Sequence, residues 1–335
     1  MERITIIGLG FIGSSIGYAL RLAKRKNREI VGFDSVSKVQ QKAEKSGAVD
    51  RTEWGLPAAV TESDIVILAV PTLAIPDILE NIAPHLKPGA TVTDTTTNKR
   101  EVIKWADKLL PRSVGFVGSH PLVSGSGVEN ARGDLFEGGQ WAIVTTTYAP
   151  QDSVRDVVRL VEQLGAKPFF VGIDEHDSFV GAMTHLPIII SNALMLGVAR
   201  SPSWREISQF ASDDFRELSR LARVNPEVNL GAVAGNSDMV IHWIDQIMQE
   251  LADFRAMLED ESRNESEGPL MATFNDAWDA RMRWEAGVSP VDIERPEMPT
   301  SSQTMMSLFM GDRGARRIRE MMGRDDDRPK YGDRN

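Results

Sequence analysis

The chain contains no cysteine in its 335 residues. That excludes a disulfide framework, a thiolate nucleophile and any zinc site built on sulfur. A surplus of basic charge is also missing. The formal net charge is −10, the wrong sign for a face that tracks phosphates, so no nucleic-acid partner is expected. No apolar run approaches the roughly 20 residues of a membrane span, and no membrane partner is expected. The N-terminus lacks a basic and apolar export signal, because RITIIGLG already reads as a strand entering a turn. A cytoplasmic location follows as an expectation. Histidine is scarce, at five residues, so the position of each one carries information.

What is present suffices for two domains, each with its own core: 41% of residues are hydrophobic and 26% charged. Strand candidates are Arg3–Ile7, Glu29–Phe33, Ile65–Ala69, Thr91–Thr93, Val114–Val117, Trp141–Thr145 and Pro168–Val171. Amphipathic helical stretches lie between them at Ser37–Lys45, Leu73–Ile82, Lys99–Lys108 and Gln151–Leu164. This βαβα rhythm predicts an α/β N-terminal domain, a doubly wound, mostly parallel sheet of the Rossmann type. After Gly172 the strand signals stop and helical stretches alternate with punctuation such as SPSW, VNP and NESEGP. The expected organisation is a sheet domain over 1–173 and an all-α domain over 174–290. A C-terminal extension, 291–335, would hold one helix and a charged, disordered end. Val240, Ile244, Ile247, Leu251, Phe254 and Leu258 recur at alternating spacings of four and three. That seam belongs either to a core helix or to one packed across a homodimer interface.

Gly8, Gly10 and Gly13 form a G-x-G-x-x-G pattern directly after the first strand and at the opening of a helix. Gly8 permits the tight turn, Gly10 lets the backbone approach a pyrophosphate, and Gly13 allows close packing of helix on strand. Asp34 follows 21 residues after Gly13, at the end of the next strand. A carboxylate there accepts the ribose 2′-hydroxyl and repels a 2′-phosphate, which favours NAD over NADP. The expected cofactor-binding set is Gly8, Gly10, Phe11, Ile12, Gly13, Asp34, Val70, Pro71 and Thr95.

Ligands of such sheets bind beyond the carboxyl ends of the strands. There the sequence sets the glycine turn, Asp34, AVPTLAIP, DTTTNK and, after the fifth strand, GSHP. His120 therefore faces the cofactor's crevice. Oxidising an alcohol requires a base for the hydroxyl proton while hydride leaves the same carbon, and neutral imidazole suits that task. Thr95, Thr96 and Thr97 sit at the neighbouring strand end, where a hydroxyl could orient the substrate; the alternative is a turn with a helix cap. His176 and His185 are nine residues apart, about 900° on a helix and so on opposite faces, which argues against a metal pair. His185 is the expected functional one, in a stretch that Pro187 leaves free to bend. His176 is assigned to the helix start or the domain contact, and His85 and His242 to the surface. For an anionic substrate, DDFRELSRLAR offers Arg216 and Arg220 at i and i+4 on one helix face, with Arg223 nearby. The alternative is a solvated helix pairing these arginines with Asp213, Asp214 and Glu217.

At this point the chain resembles the prephenate and arogenate dehydrogenases of tyrosine biosynthesis. The likeness rests on IIGLGFIGSSI, SDIVILAVPTLAIPDIL, HLKPGATVTD, GSHP, LFEGGQWAIV, DEHDSFVGAMTHLP and FRELSRLARVNPE, in the family's order from about residue 3 to 285. It implies His120 as the base on the ring hydroxyl and Thr97 where the family usually has a serine bonded to that hydroxyl. It implies His185 as the second active-site histidine and Arg220 as the arginine that binds a substrate carboxylate. The implied reaction is NAD-dependent oxidative decarboxylation of prephenate to 4-hydroxyphenylpyruvate. Arogenate or 4-amino-4-deoxyprephenate are alternative substrates. A different two-domain 3-hydroxyacid or imine dehydrogenase, or a non-catalytic NAD sensor, are the other classes weighed. The chain departs from the family pattern at Thr97, in the shortened LVSGSG loop after His120–Pro121, and at Asn229, where a tryptophan is common.

Overall fold

The computed structural model describes residues 1–24, 27–123, 125, 127–146 and 149–287. Its strands form one sheet: β1 (Glu2–Ile7), β2 (Arg28–Phe33), β3 (Arg51–Thr52), β4 (Ile65–Leu68), β5 (Thr91–Asp94), β6 (Gly115–Pro121), β7 (Gln140–Val144) and β8 (Lys167–Phe170). The spatial order is β3-β2-β1-β4-β5-β6-β7-β8. Every pairing is parallel except β6 with β7. Strand order reverses between β1 and β4, the switch point at which a doubly wound sheet opens a crevice.

Side chains alternate across the sheet as the two-residue period of a strand requires. Ile65 and Ile67 join the core on one face, with Ile4, Ile6 and residues of α1 (Phe11–Leu22), including Ile16 and Leu20. Val66 and Leu68 join the core on the other, with Ile75, Leu79 and Ile82. Helices α2 (Ser37–Lys45), α3 (Leu56–Val60), α4 (Ile75–Ile82), α5 (Arg100–Leu109) and α6 (Gln151–Gln163) complete the two outer layers. With both faces covered the strands read as near-continuous apolar runs, and each fully buried aliphatic side chain stabilises by roughly 1.5–3 kcal/mol. The short β3 and α3 are additions to the expected element list.

Strand β6 runs further than its apolar core suggests. Gly115–Val117 pair with β5 in parallel, and Gly118–Pro121 pair with β7 antiparallel. His120 is therefore inside a strand, opposite Ala142, rather than in the turn after it.

The second half is helical: α7 (Ile173–Val180), a π turn over Gly181–His185, α8 (Leu186–Ala199), α9 (Trp204–Ile207), α10 (Asp213–Leu218), α11 (Pro226–Ala234), α12 (Ser237–Glu259) and α13 (Pro269–Glu285). Pro187 has no N–H to offer the carbonyl four residues back, and the chain widens: the Leu186 N–H reaches the Gly181 carbonyl, five residues away. Counted through this turn, Ile173–Ala199 is one 27-residue helix long and apolar enough to cross a membrane by length and composition. That corrects the sequence expectation. Beyond Asp177, Gly, Ser, Thr, Asn and His interrupt the apolar run without adding charge, so a scan for unbroken apolar residues passes over it.

The described residues divide into two compact units, the first ending at Leu251 and the second covering 252–287. Within the second unit the rings of Phe254 and Phe274 pack 5.7 Å apart, and the Thr273 hydroxyl meets the Met257 sulfur at 3.3 Å. The expected 291–335 extension lies outside the described residues.

Candidate active site

The glycine turn has the geometry its spacing implies. Gly8 has φ +92°, and a Cβ there would stand 2.3 Å from the Ala69 carbonyl oxygen of the strand β4 exit. A Cβ on Gly13 would stand 1.8 Å from the Gly8 carbonyl oxygen, whereas one on Gly10 would meet nothing within 4 Å. Two glycines thus close the turn on itself, and the third leaves open space before the N-terminus of α1. A cleft of about 500 Å³ lies alongside, lined by residues that include Gly8, Gly10, Asp34, Val70 and Pro71. The Asp34 carboxylate borders this cleft while accepting the backbone N–H of Leu9 at 2.8 Å and of Val36 at 2.9 Å. It therefore braces the glycine turn as well as bordering the cleft. Phe11 turns its ring into the core, which leaves its backbone for any cofactor contact; Ile12 is half-buried beside it. Thr95 is half-buried, tied to the Leu68 carbonyl through its N–H at 3.1 Å. These residues suit a dinucleotide: an open backbone approach at a helix N-terminus for the phosphates and a carboxylate one strand away for a ribose.

The chemical groups gather beyond β5 and β6. His120 is buried, and its Nδ1 lies 3.2 Å from Nε2 of His176. The other nitrogen of His176, Nδ1, lies 2.8 Å from the Asp177 carboxylate. That carboxylate also accepts the backbone N–H groups of Lys99 at 3.0 Å and Arg100 at 2.9 Å, capping the start of α5. His185 Nε2 lies 3.0 Å from the Thr97 hydroxyl, and His185 Nδ1 lies 3.2 Å from the Asn236 side-chain nitrogen. Gly181 makes this last contact feasible, because a Cβ there would press within 2.9 Å of Met239 at the start of α12. Lys99 and Asp94, both with fully buried side chains, form an ion pair beneath these groups. The loop after His120 returns to the cofactor helix: the Arg132 N–H donates to the Ser15 hydroxyl at 3.1 Å.

Burial disfavours the charged form of two of the rings, His120 and His185. Burial first, then the Lys99 charge and the two neighbouring histidines, hold His120 well below the usual histidine value. His185 is lowered to about 4, chiefly by burial, with Asp177 opposing and His176 adding to the shift. Asp177 is pushed up by burial but held low overall by the hydrogen bonds from His176 and the backbone of Arg100 and Lys99.

His120, Thr97 and His185 are brought together, as expected. His176 sits at the start of α7 and meets His120 of β6, the helix start and domain contact assigned to it; that the partner is the candidate base was not foreseen. The 900° count assumed an unbroken α-helix, and the π turn changes the rotation between His176 and His185 so that both rings reach the groups around Asp177. The arginine helix also differs. Chain Asp213–Leu218 is α10, but Arg220–Arg223 form a separate 3₁₀ turn. The Ser219 hydroxyl bonds back to the Phe215 carbonyl at 2.6 Å, and the Ala222 N–H is drawn to the Ser191 hydroxyl of α8 at 3.1 Å. Arg216 and Arg220 therefore do not share one helix face. Arg216 pairs with Asp213 at 3.0 Å in solvent, the solvated alternative. Arg220 is exposed and has no hydrogen bond or ion pair among the described residues. Its turn rests on α8 six residues beyond His185, with Asn229 holding the Leu221 carbonyl at 3.3 Å. Ser124 and Ser126 of the shortened loop lie outside the described residues. His176, Asp177, Asn236 and Lys99 were missed in the sequence; the adjacent pair His176–Asp177 was the one signal available.

The model of the prephenate dehydrogenase nucleotide-binding domain matches residues 16–169, and that of the prephenate dehydrogenase dimerization domain matches 173–275. The chain belongs to the prephenate dehydrogenase family. It is an NAD-dependent oxidoreductase of that family, and the open cleft beside Gly10 and Asp34 fits the cofactor. A curated relative, the prephenate dehydrogenase of Lactococcus lactis subsp. cremoris, is 30% identical over 259 residues, 75% of this chain and 70% of that protein. Among solved structures, the A. aeolicus prephenate dehydrogenase in complex with hydroxyphenyl propionate and NAD+ superimposes with a TM-score of 0.76. It is 24% identical, over 84% of this chain and 98% of that one. The Synechocystis arogenate dehydrogenase gives 0.66 at 26% identity, over 83% and 99%.

Proposed function

We propose that the chain oxidises and decarboxylates prephenate to 4-hydroxyphenylpyruvate with NAD, His120 taking the proton of the ring hydroxyl. The observation that carries this reading is the convergence of His120, Thr97 and His185 at the carboxyl ends of β5 and β6, on the side of the sheet where the glycine turn opens its cleft. NAD, when bound, supplies the hydride acceptor. Gly10 would leave room for its phosphates, and Asp34 would hold its adenosine ribose. His120, neutral through burial, accepts the hydroxyl proton. Thr97, fixed by His185, orients that hydroxyl. Arg220, exposed and without a partner among the described residues, binds a substrate carboxylate bidentately, a charged contact worth roughly 1.5–3 kcal/mol. Loss of carbon dioxide makes the ring aromatic, so the step is strongly downhill and the residues chiefly position groups and stabilise charge.

The domain limits belong to the same proposal: 1–173 for the cofactor, 174–290 for substrate and dimerisation, 291–335 as an extension. So does a homodimer through the helical half, located in the cytoplasm. Leu196 on α8 and Leu251 and Leu258 on the α12 seam are exposed in the single chain, which suits helices covered by a second copy and gives the long apolar helix a partner other than a membrane.

Arogenate differs from prephenate in the side chain, away from His120, whereas 4-amino-4-deoxyprephenate carries an amino group in place of the ring hydroxyl that His120 addresses; both remain the alternative substrates. Comparing kcat/KM for the three tests the choice. Prephenate is expected to be preferred; preference for either amino compound would move the assignment to that substrate.

A further inference from the structure

Two chains of hydrogen bonds leave Asp177, one from its carboxylate and one from its backbone carbonyl, and both end at groups that face the proposed substrate. We propose that Asp177 is a positioning residue that fixes, through these two chains, which nitrogen carries the proton on His120 and on His185. The inference rests on the functional reading above only where it assigns the substrate hydroxyl.

The first chain runs through His176. A carboxylate only accepts, so the proton between Asp177 Oδ1 and His176 Nδ1, 2.8 Å apart, belongs to His176. In the proposed arrangement His176 is singly protonated, which leaves its Nε2 bare. The 3.2 Å contact to His120 Nδ1 then requires His120 to donate. His120 is thereby held with its proton on Nδ1 and a free lone pair on Nε2, the nitrogen left for substrate.

The second chain runs through Asn236. The Asp177 carbonyl accepts from the Asn236 amide nitrogen at 2.6 Å. The reversed amide would set two oxygens against each other, so the orientation is fixed. The same NH₂ group lies 3.2 Å from His185 Nδ1, which must accept. His185 then carries its proton on Nε2 and donates to the Thr97 hydroxyl oxygen at 3.0 Å. The Thr97 hydrogen remains free to donate outward. Asn236 Oδ1 is buried without a hydrogen-bond partner among the described residues; the side chain is oriented by its donors alone.

The outcome is a complementary pair: a bare nitrogen on His120 and a hydroxyl hydrogen on Thr97. A substrate hydroxyl needs both, donating its proton to the first while its oxygen accepts from the second. When that proton reaches His120 Nε2, the positive charge formed is 3.2 Å from His176, whose far side rests on the Asp177 carboxylate. The logic matches the buried carboxylate that orients a catalytic histidine in serine proteases, with a second imidazole interposed.

The test is the tautomeric state itself. Full-length protein labelled with ¹⁵N in its imidazole rings is examined at neutral pH by long-range ¹H–¹⁵N correlation. His85→Gln and His242→Gln remove the two surface signals, and single substitutions assign the other three. His120 and His176 should carry their proton on Nδ1, and His185 on Nε2. A proton on Nε2 of His120, or a doubly protonated His176, would overturn the proposal. As a second readout, His176→Phe should lower kcat by about 10²-fold with the KM for NAD unchanged, the low end of what a lost base costs. His176→Gln, which restores an acceptor, should recover part of the loss. Equal kcat in the Phe variant and wild type would also sink the idea. The spectrum needs no substrate: inactivity toward prephenate with these tautomers would remove the substrate reading alone, and turnover with the opposite tautomers would remove this inference alone.

Discussion

His185 and Thr97 stand 88 positions apart in the chain and meet at 3.0 Å, ring nitrogen to hydroxyl oxygen. The contact ties the exit of β5 to the π turn between α7 and α8, so the sheet and the helical segment after it share one hydrogen-bonded cluster. Arg100 reinforces the join from the surface, paired with Asp238 at 2.8 Å and Asp174 at 3.3 Å. The site is therefore built where two kinds of secondary structure meet, and its polar groups hold the junction as well as facing the crevice.

Acid should inactivate the enzyme late and destabilise it early. His120 works as a base when neutral, and its pKa lies well below 6.5 through burial and the Lys99 charge. Activity is present above that lowered value and lost as pH falls through it. The acid limb of kcat/KM should thus fall below the ordinary histidine range; a limb near 6.5 would show an unburied base. For stability, the unfolded chain binds protons at its histidines near 6.5 while folded His185 resists them until about 4. Stability should decline as pH drops through that window, read from denaturant melts at successive pH values.

Lys99→Met should destabilise the fold by roughly 3–5 kcal/mol, the usual penalty for leaving one partner of a buried ion pair uncompensated. Here the orphan is Asp94, whose side chain is fully buried. Urea unfolding measures the change. An unaltered midpoint would mean that the buried pair contributes nothing to stability.

Asp34→Ser should weaken NAD and relax discrimination against NADP, read as the ratio of kcat/KM for the two cofactors. Because Asp34 also holds the Leu9 N–H at 2.8 Å, some loss of NAD affinity should come from a looser glycine turn. An unchanged ratio would leave Asp34 a brace for the turn and nothing more.

Arg220→Ala should raise the KM for the substrate about tenfold or more while leaving that for NAD unchanged, as the loss of a charged hydrogen bond implies. Arg216→Ala, which removes only a solvent-exposed pair with Asp213, should change neither beyond measurement. Equal effects of the two would contradict the distinction between them.

The sheet was legible because its signals are local. Ile65–Leu68 and Thr91–Asp94 are short β-branched runs between amphipathic helices, and the G-x-G-x-x-G spacing follows from contacts within a single turn. His120 and His185 could be singled out for the same reason, by positions at a strand end and at a proline-marked bend; among the three threonines after β5, only the family resemblance pointed to Thr97. The contact between His120 and His176 was not legible, because it depends on how far a helix rotates across a π turn. The break between Arg216 and Arg220 was hidden in another way: it is set partly by Ser191, 31 residues from the Ala222 N–H that it captures. Two residues of β3 are too few to show any period.

The most direct test of His120 as the base of an oxidative decarboxylation is a product balance. Purified protein, NAD and prephenate are incubated, and NADH and carbon dioxide are counted together, for wild type and for His120→Asn. The account predicts equal amounts of the two products from the wild type. In the variant, kcat should fall by about 10²–10⁴-fold with NAD binding retained. NADH without carbon dioxide, or a variant that turns over like the wild type, would contradict it.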